Sequence, residues 1–206
     1  FLFMLKKVFG EAMIYIEVPN YDWIIKNKTF FDITYEHVNY FSQHALRLLY
    51  KQPKIQHGLL LEDQYQYLIS NLSSLNSDFQ SLYKSNDWKY VSFRNLFPNI
   101  LSDISSFENR VRNGSVFLWG AATKGCLFLA HCANTNKLIN NVRFAIDQNP
   151  NKIGKYLPGT NIEIKSKESF FAEAKAGDLL LISNPAYKDE IIEQVNAAGI
   201  YNLLID

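Results

Sequence analysis

Past Ser115 the sequence alternates two textures. VFLWG reads as a strand, residues 123–133 as a helix, VRFAID as a strand, residues 166–176 as a helix, DLLLIS as a strand, residues 187–198 as a helix and IYNLLID as a last strand. Runs that are apolar at every position, rather than at every second one, belong to strands covered on both faces, and helices between them preclude simple hairpins. The expectation is an α/β fold whose core is a parallel, helix-covered sheet with right-handed crossovers, a small Rossmann-like domain.

Upstream the pattern is less regular. Leu2, Leu5 and Phe9 make a short helical stripe ended by Gly10, and residues 12–18 (AMIYIEV) read as a buried strand closed by Pro19. A strand needs neighbours, and the next strong strands lie far downstream, so this one is expected at the edge of a sheet whose other strands lie outside the chain. The chain opens on Phe1, shows no signal-peptide cleavage pattern, and reads as part of something longer. Residues 20–41 form a polar and aromatic connection too long for an idle turn, the kind of segment that carries function. Tyr65, Leu68, Leu72, Leu75, Phe79 and Leu82 recur at spacings of three and four, which predicts an amphipathic helix over residues 62–84. Phe97, Leu101, Ile104, Phe107 and Val111 repeat that spacing up to Gly114. The expected organisation is a partial α/β segment over 1–50, a helical connector over 51–113 and the Rossmann-like domain over 114–206.

Charge removes several functions. Twenty-one Lys and Arg against 20 Asp and Glu leave a net charge of +1, so no global field attracts nucleic acid or an anionic membrane. No stretch approaches the roughly 18 apolar residues that span a bilayer. Cys126 and Cys132, six apart in one predicted helix, face different ways and cannot bridge each other, and no His/Cys cluster suggests a metal site. A reducing, cytoplasmic setting is the expectation. The G-x-S-x-G, P-loop and H-E-x-x-H patterns are missing, which disfavours the common hydrolase, NTPase and zincin chemistries. Oligomeric state leaves no signature.

Gly120-Ala121-Ala122-Thr123-Lys124-Gly125 sits between a strand and a helix, where a dinucleotide fingerprint would be read, but its middle glycine is Ala122. A helix N-terminus with Lys124 beside it still suits an anion, and Asp147, at the end of the next strand, stands where a ribose-binding acid would. The loop that follows (QNPNKIGKYLPGT) carries Asn149, Lys155 and Tyr156 at the carboxyl edge of the sheet, where open α/β folds bind ligands. The alternative is that Gly120 and Gly125 serve only the tight turn and helix-to-sheet packing. An NAD(P)-binding oxidoreductase or redox-sensing domain is one functional reading of this turn, and a non-catalytic assembly module built on the helical stripes is another.

Three segments together resemble the sugar C-methyltransferases that use S-adenosylmethionine. They are Ile16-Glu17-Val18-Pro19-Asn20; the run from Phe31-Asp32 through Tyr35-Glu36-His37 to Asn39-Tyr40-Phe41-Ser42; and GAATKG followed by DQNPNKIGKYLPGT. The resemblance implies a zinc-binding N-terminal module, a central methyltransferase domain and a C-terminal Rossmann-like domain, of which this chain would hold the tail of the second and all of the third. Zinc and the grip on S-adenosylmethionine would then lie outside it, and these residues alone would not methylate. The substrate implied is a nucleotide-linked keto sugar.

Methylating carbon beside a ketone requires a base to form an enolate and a donor to stabilise its oxygen. Histidine titrates in the neutral range, so His37 suits the base, with Glu36 orienting the imidazole or holding the substrate. Tyr35 or Tyr40 would donate to the enolate oxygen, a hydrogen bond that strengthens as charge develops. Lys124, Asn149, Lys155 and Tyr156 are the candidates for phosphate or sugar contacts. His44, His57 and His131 have no acidic or nucleophilic neighbour at a mechanistic spacing and receive no role.

Overall fold

The computed structural model describes residues 1–34, 36–51, 55–78, 92–111, 114–133 and 138–205. The chain divides into two compact units, Phe1–Thr29 with Tyr35–Pro98, and Phe30–Thr34 with Asn99–Asp206, boundaries that differ from the expected 1–50, 51–113 and 114–206.

In the first unit α1 (Leu2–Phe9) leads into β1 (Met13–Pro19), then α2 (Tyr21–Asn27), α3 (Gln43–Leu48), β2 (Ile55–Leu60), β3 (Tyr65–Asn71) and α4 (Phe93–Leu96). The three strands make an antiparallel sheet in the order β1-β3-β2. Two expectations are corrected here. β1 has a neighbour within the chain, pairing with β3 from Met13↔Asn71 to Pro19↔Tyr65, and stands at an edge of the sheet as expected. The helix over residues 62–84 is, in its described part, the second half of a hairpin and a short 3-10 turn at Leu72–Ser74, while residues 79–84 lie outside the described residues. The helical spacing of Tyr65, Leu68, Leu72 and Leu75 is real, but β3 buries every second residue, and two of the three on its buried face, Gln66 and Ser70, are polar and conceal the period of two.

The hairpin turn is unusual. Leu61, Glu62 and Asp63 all have left-handed φ values of 50, 53 and 67°, a conformation that costs a non-glycine residue about 1–2 kcal/mol. Asn20 holds the turn from outside. It is 2% exposed; its Nδ2 donates to the Asp63 carbonyl at 2.9 Å, its backbone N–H to the Gln64 carbonyl at 2.9 Å, and its Oδ1 caps α2 by accepting from Asp22 N–H at 3.2 Å.

Leu46, Leu49, Tyr50, Leu68, Leu72 and Leu75 form the core of this unit. The Tyr50 ring is 2% exposed, its hydroxyl has no hydrogen-bond partner among the described residues, and burial pushes the phenol up to about 12 from 10.0. The folded state resists ionisation that the unfolded chain permits, so this tyrosine lowers stability as the pH rises from 10.0 toward about 12. Tyr50→Phe is expected to raise stability by about 1 kcal/mol at neutral pH by deleting the stranded hydroxyl, and to flatten that alkaline loss. Urea denaturation at neutral and alkaline pH measures both.

The second unit is the expected Rossmann-like α/β domain. Its elements are α5 (Ile100–Arg110), β4 (Val116–Trp119), α6 (Thr123–Cys132), α7 (Leu138–Asn141), β5 (Val142–Ile146), β6 (Ile164–Lys165), α8 (Lys167–Glu173), β7 (Leu179–Ile182), α9 (Lys188–Ala197) and β8 (Leu204–Ile205). All five strands are parallel in the order β6-β5-β4-β7-β8. The chain therefore steps outward from β4 to β6, returns to the far side of β4 as β7, and ends on β8. Every residue of β4 and β7 is buried, as a sheet covered on both faces requires. On one face Phe117, Trp119 and Phe144 meet Phe170 of α8 and Ile191 and Val195 of α9, with Phe117 edge-on to both Phe144 and Phe170 at 5.0 Å. On the other, α6 lies so close that a Cβ on Gly125 would stand 2.5 Å from the Gly120 carbonyl oxygen and 3.1 Å from Leu118.

Candidate active site

The loop between α2 and α3 carries Glu36, His37, Val38 and Asn39, all exposed, and the half-buried Tyr40. The His37 ring stands edge-on to the Tyr40 ring, centroids 5.8 Å apart at 71°. The predicted residues Glu36, His37 and Tyr40 therefore share one exposed loop, while Tyr35 lies outside the described residues. The loop ends at a fixed point. Phe41 bridges to Asn20, and its carbonyl accepts from the Tyr21 N–H at 3.1 Å and from Gln66 Nε2 at 2.6 Å. Two further bonds start α3, with Ser42 Oγ accepting from Ala45 N–H at 3.1 Å and Asp22 Oδ2 from Gln43 N–H at 2.9 Å. An exposed imidazole with a carboxylate next in sequence and a phenol at its edge can take a proton from a bound substrate and offer a hydrogen bond to the oxygen that gains charge.

In the second unit a cavity of about 310 Å³ opens at the carboxyl ends of β4, β5 and β7, where the strand order reverses. Trp119, Ile146, Ile182 and Ile191 supply apolar wall; Asp147, Gln148, Ser183, Asn184, Tyr187 and Glu190 supply polar groups. Among the described residues no Lys or Arg lines it. Such a surface fits an uncharged, hydroxyl-bearing ring better than a phosphate. The residues after β7 were missed in the sequence, although Asn184-Pro185 directly after a buried strand is a legible start of a turn, and Asn184 Oδ1 does cap one by accepting from Ala186 N–H at 3.3 Å.

The turn after β4 serves packing. Gly120 has φ +110°, and a Cβ there would meet Ser183 Oγ at 2.1 Å; the Ser183 hydroxyl donates to the Gly120 carbonyl at 3.1 Å. Lys152 Nζ braces the turn by donating to the Ala121 carbonyl at 3.0 Å and pairing with Asp147 at 2.7 Å. With Ala122 in the middle, Gly120 facing Ser183 and Asp147 engaged by a lysine, the NAD(P) reading is not favoured. The charge of Lys124 is likewise engaged, by Asp32 at 2.7 Å in a largely buried pair. Beside that pair Phe30 and Phe31 pack on Phe128 of α6, both at 6.0 Å, and Phe30 meets the His131 ring edge-on at 5.1 Å. Burial there pushes the His131 imidazole below its usual range.

Asn149, Lys155 and Tyr156 are exposed on the loop after β5. Asn149 donates its N–H to Asp147 Oδ1 at 2.9 Å and accepts from Asn151 N–H at 3.0 Å, successive turns that shape the loop. Tyr156 bridges to Glu163. These three residues and the His37 loop fall in different units. Among the described residues no group of three or more His, Cys, Asp and Glu is placed to hold a metal ion, and no helix is long and apolar enough to cross a membrane.

The sequence profile of the C-methyltransferase C-terminal domain matches residues 80–200, more than half of the chain. The chain belongs to this family. Along its length it is similar to the C-methyltransferase NovU of Streptomyces niveus, 26% identical over 204 residues, which cover 89% of this chain and 46% of that protein. The chain thus spans about half the length of the curated relative it matches. The C-methyltransferase family match covers α4 and most of the parallel-sheet unit and stops short of β8.

Proposed function

We propose that this chain serves a C-methyltransferase that uses S-adenosylmethionine and methylates a nucleotide-linked keto sugar in the cytoplasm. The observation that carries the proposal is the exposed His37 ring, set edge-on to Tyr40 and next in sequence to Glu36, in a chain of the C-methyltransferase family. His37 takes the proton from the carbon beside the ketone. Glu36 orients the imidazole or holds a sugar hydroxyl, and Tyr40 or Tyr35 donates to the enolate oxygen. When bound, S-adenosylmethionine would supply an electrophilic methyl, its S–CH3 bond breaking as the bond to the carbanion forms and a neutral thioether leaving. We assign no residue of this chain to that donor, since the space beside Gly120 and Gly125 is filled by Ser183 and by the Gly120 carbonyl.

In the second unit, taken by itself, the cavity at the ends of β4, β5 and β7 suits an uncharged part of a nucleotide-linked ligand, and Asn149, Lys155 and Tyr156 are that unit's candidates for phosphate or sugar contacts. Lys124 is left out of the substrate set, since Asp32 takes its charge. The test is incubation of the intact protein with methyl-labelled S-adenosylmethionine and a nucleotide-linked keto sugar. Label on a sugar carbon beside the ketone is expected. Label on oxygen, or none transferred, overturns the proposal.

A further inference from the structure

We propose that Gln66 is a positioning residue of the His37 loop, acting through the Phe41 carbonyl, and that His57 sets the orientation of its amide. The inference rests on the reading of that loop as the place of proton abstraction.

Gln66 occupies a place where packing alone favours a hydrocarbon. It lies on the buried face of β3 with Leu68, on the middle strand of the sheet, and is 0% exposed. Burying a carboxamide is unfavourable unless its hydrogen bonds are met, and a leucine would fill the space without that demand. Gln66 meets the demand by reaching off the sheet. Nε2 donates to the Phe41 carbonyl at 2.6 Å, and Oε1 faces His57 Nε2 at 3.2 Å. The Phe41 carbonyl already accepts from the Tyr21 N–H at 3.1 Å, so the fold does not need Gln66 to satisfy that oxygen. The second bond instead fixes the Phe41–Ser42 peptide plane, one residue beyond Tyr40, whose ring contacts His37.

His57 gives the arrangement its polarity. On β2 it stands opposite Leu68, which puts its side chain on the same face as Gln66, one diagonal step away. Its Nε2–H donates to Oε1 and leaves the amide nitrogen toward Phe41. With the amide reversed, two carbonyl oxygens would face each other across the Gln66–Phe41 contact and a nitrogen would face the imidazole N–H. Neither Gln66 nor His57 sits on the His37 loop; each acts through Phe41, and small misplacements of a reacting group are expensive.

In the intact protein Gln66→Leu is expected to lower kcat for methyl transfer about tenfold while KM stays within about twofold. His57→Leu should behave like Gln66→Leu, whereas His57→Gln, which keeps an N–H donor, should retain wild-type kcat. Amide hydrogen exchange over residues 38–43 is expected to speed up about tenfold in both leucine variants and not in His57→Gln. Wild-type kcat and exchange in Gln66→Leu, or identical behaviour of His57→Leu and His57→Gln, would overturn the inference. If Gln66→Leu does not fold, the two variants at the half-buried His57 make the same discrimination. His37→Ala separates this idea from the reading beneath it: if that variant still transfers methyl, the base assignment fails and the exchange data alone decide on Gln66.

Discussion

His37→Ala is expected to slow methyl transfer by roughly 10² to 10⁴, the range a positioned general base contributes, with little change in stability. The separation of the two effects follows from exposure. His37 buries little, so truncation removes no core packing, and its edge-on contact with Tyr40 is worth about 0.5–1.5 kcal/mol at most for an aromatic pair. Surface substitutions away from caps and buried networks stay within about 0.5 kcal/mol, and the loop keeps its anchor at Phe41, held by Gln66. A full loss of transfer with an unchanged denaturation midpoint assigns the group to chemistry. A change of less than about threefold would remove His37 from the base role and move attention to Glu36, the carboxylate beside it.

The second large effect is one of stability. Gly120→Ala should destabilise the protein by about 2–4 kcal/mol, read from urea denaturation. Two causes add. The backbone there has φ +110°, which L side chains rarely adopt, and the new methyl would stand 2.1 Å from Ser183 Oγ. Ser183 can turn away only by giving up its hydrogen bond to the Gly120 carbonyl and leaving a buried hydroxyl to find another partner. In a Ser183→Ala background the clash is largely gone, so Gly120→Ala should cost less there, and the difference in a double-mutant cycle isolates the close approach. If Gly120→Ala costs under about 0.5 kcal/mol, the turn is not a packing joint and its glycine is available to a ligand.

Both predictions fall on residues the sequence singles out, but for different reasons. The parallel sheet is legible because β4 and β7 are apolar at every position and are punctuated by helices, a pattern set by burial on both faces and visible in a window of a few residues. Gly120 and Gly125 are legible as a strand-to-helix turn. What fills the space above them is not, because Ser183 arrives from β7, 63 residues away. The first unit reads poorly from sequence. Gln66 and Ser70 on the buried face of β3 break its alternation, so the remaining apolar residues imitate a helix. Only the pairing of β3 with β1 and β2 decides for strand. Gln66 and His57 pass unnoticed for the same reason: a polar residue inside a strand looks like an error in the pattern until its partners are seen.

Local periodicity, then, determined the Rossmann-like half of this chain, because a buried strand or a helix turn depends on neighbours a few residues away, while the His37 loop stood out through its resemblance to the sugar C-methyltransferases. The tertiary structure alone decided the antiparallel sheet, the engagement of Lys124 with Asp32 and of Lys152 with Asp147, and the fixing of Phe41 by Gln66. These depend on buried strands, charges and amides finding partners, and the partners come from segments whose separation along the chain carries no periodic signal.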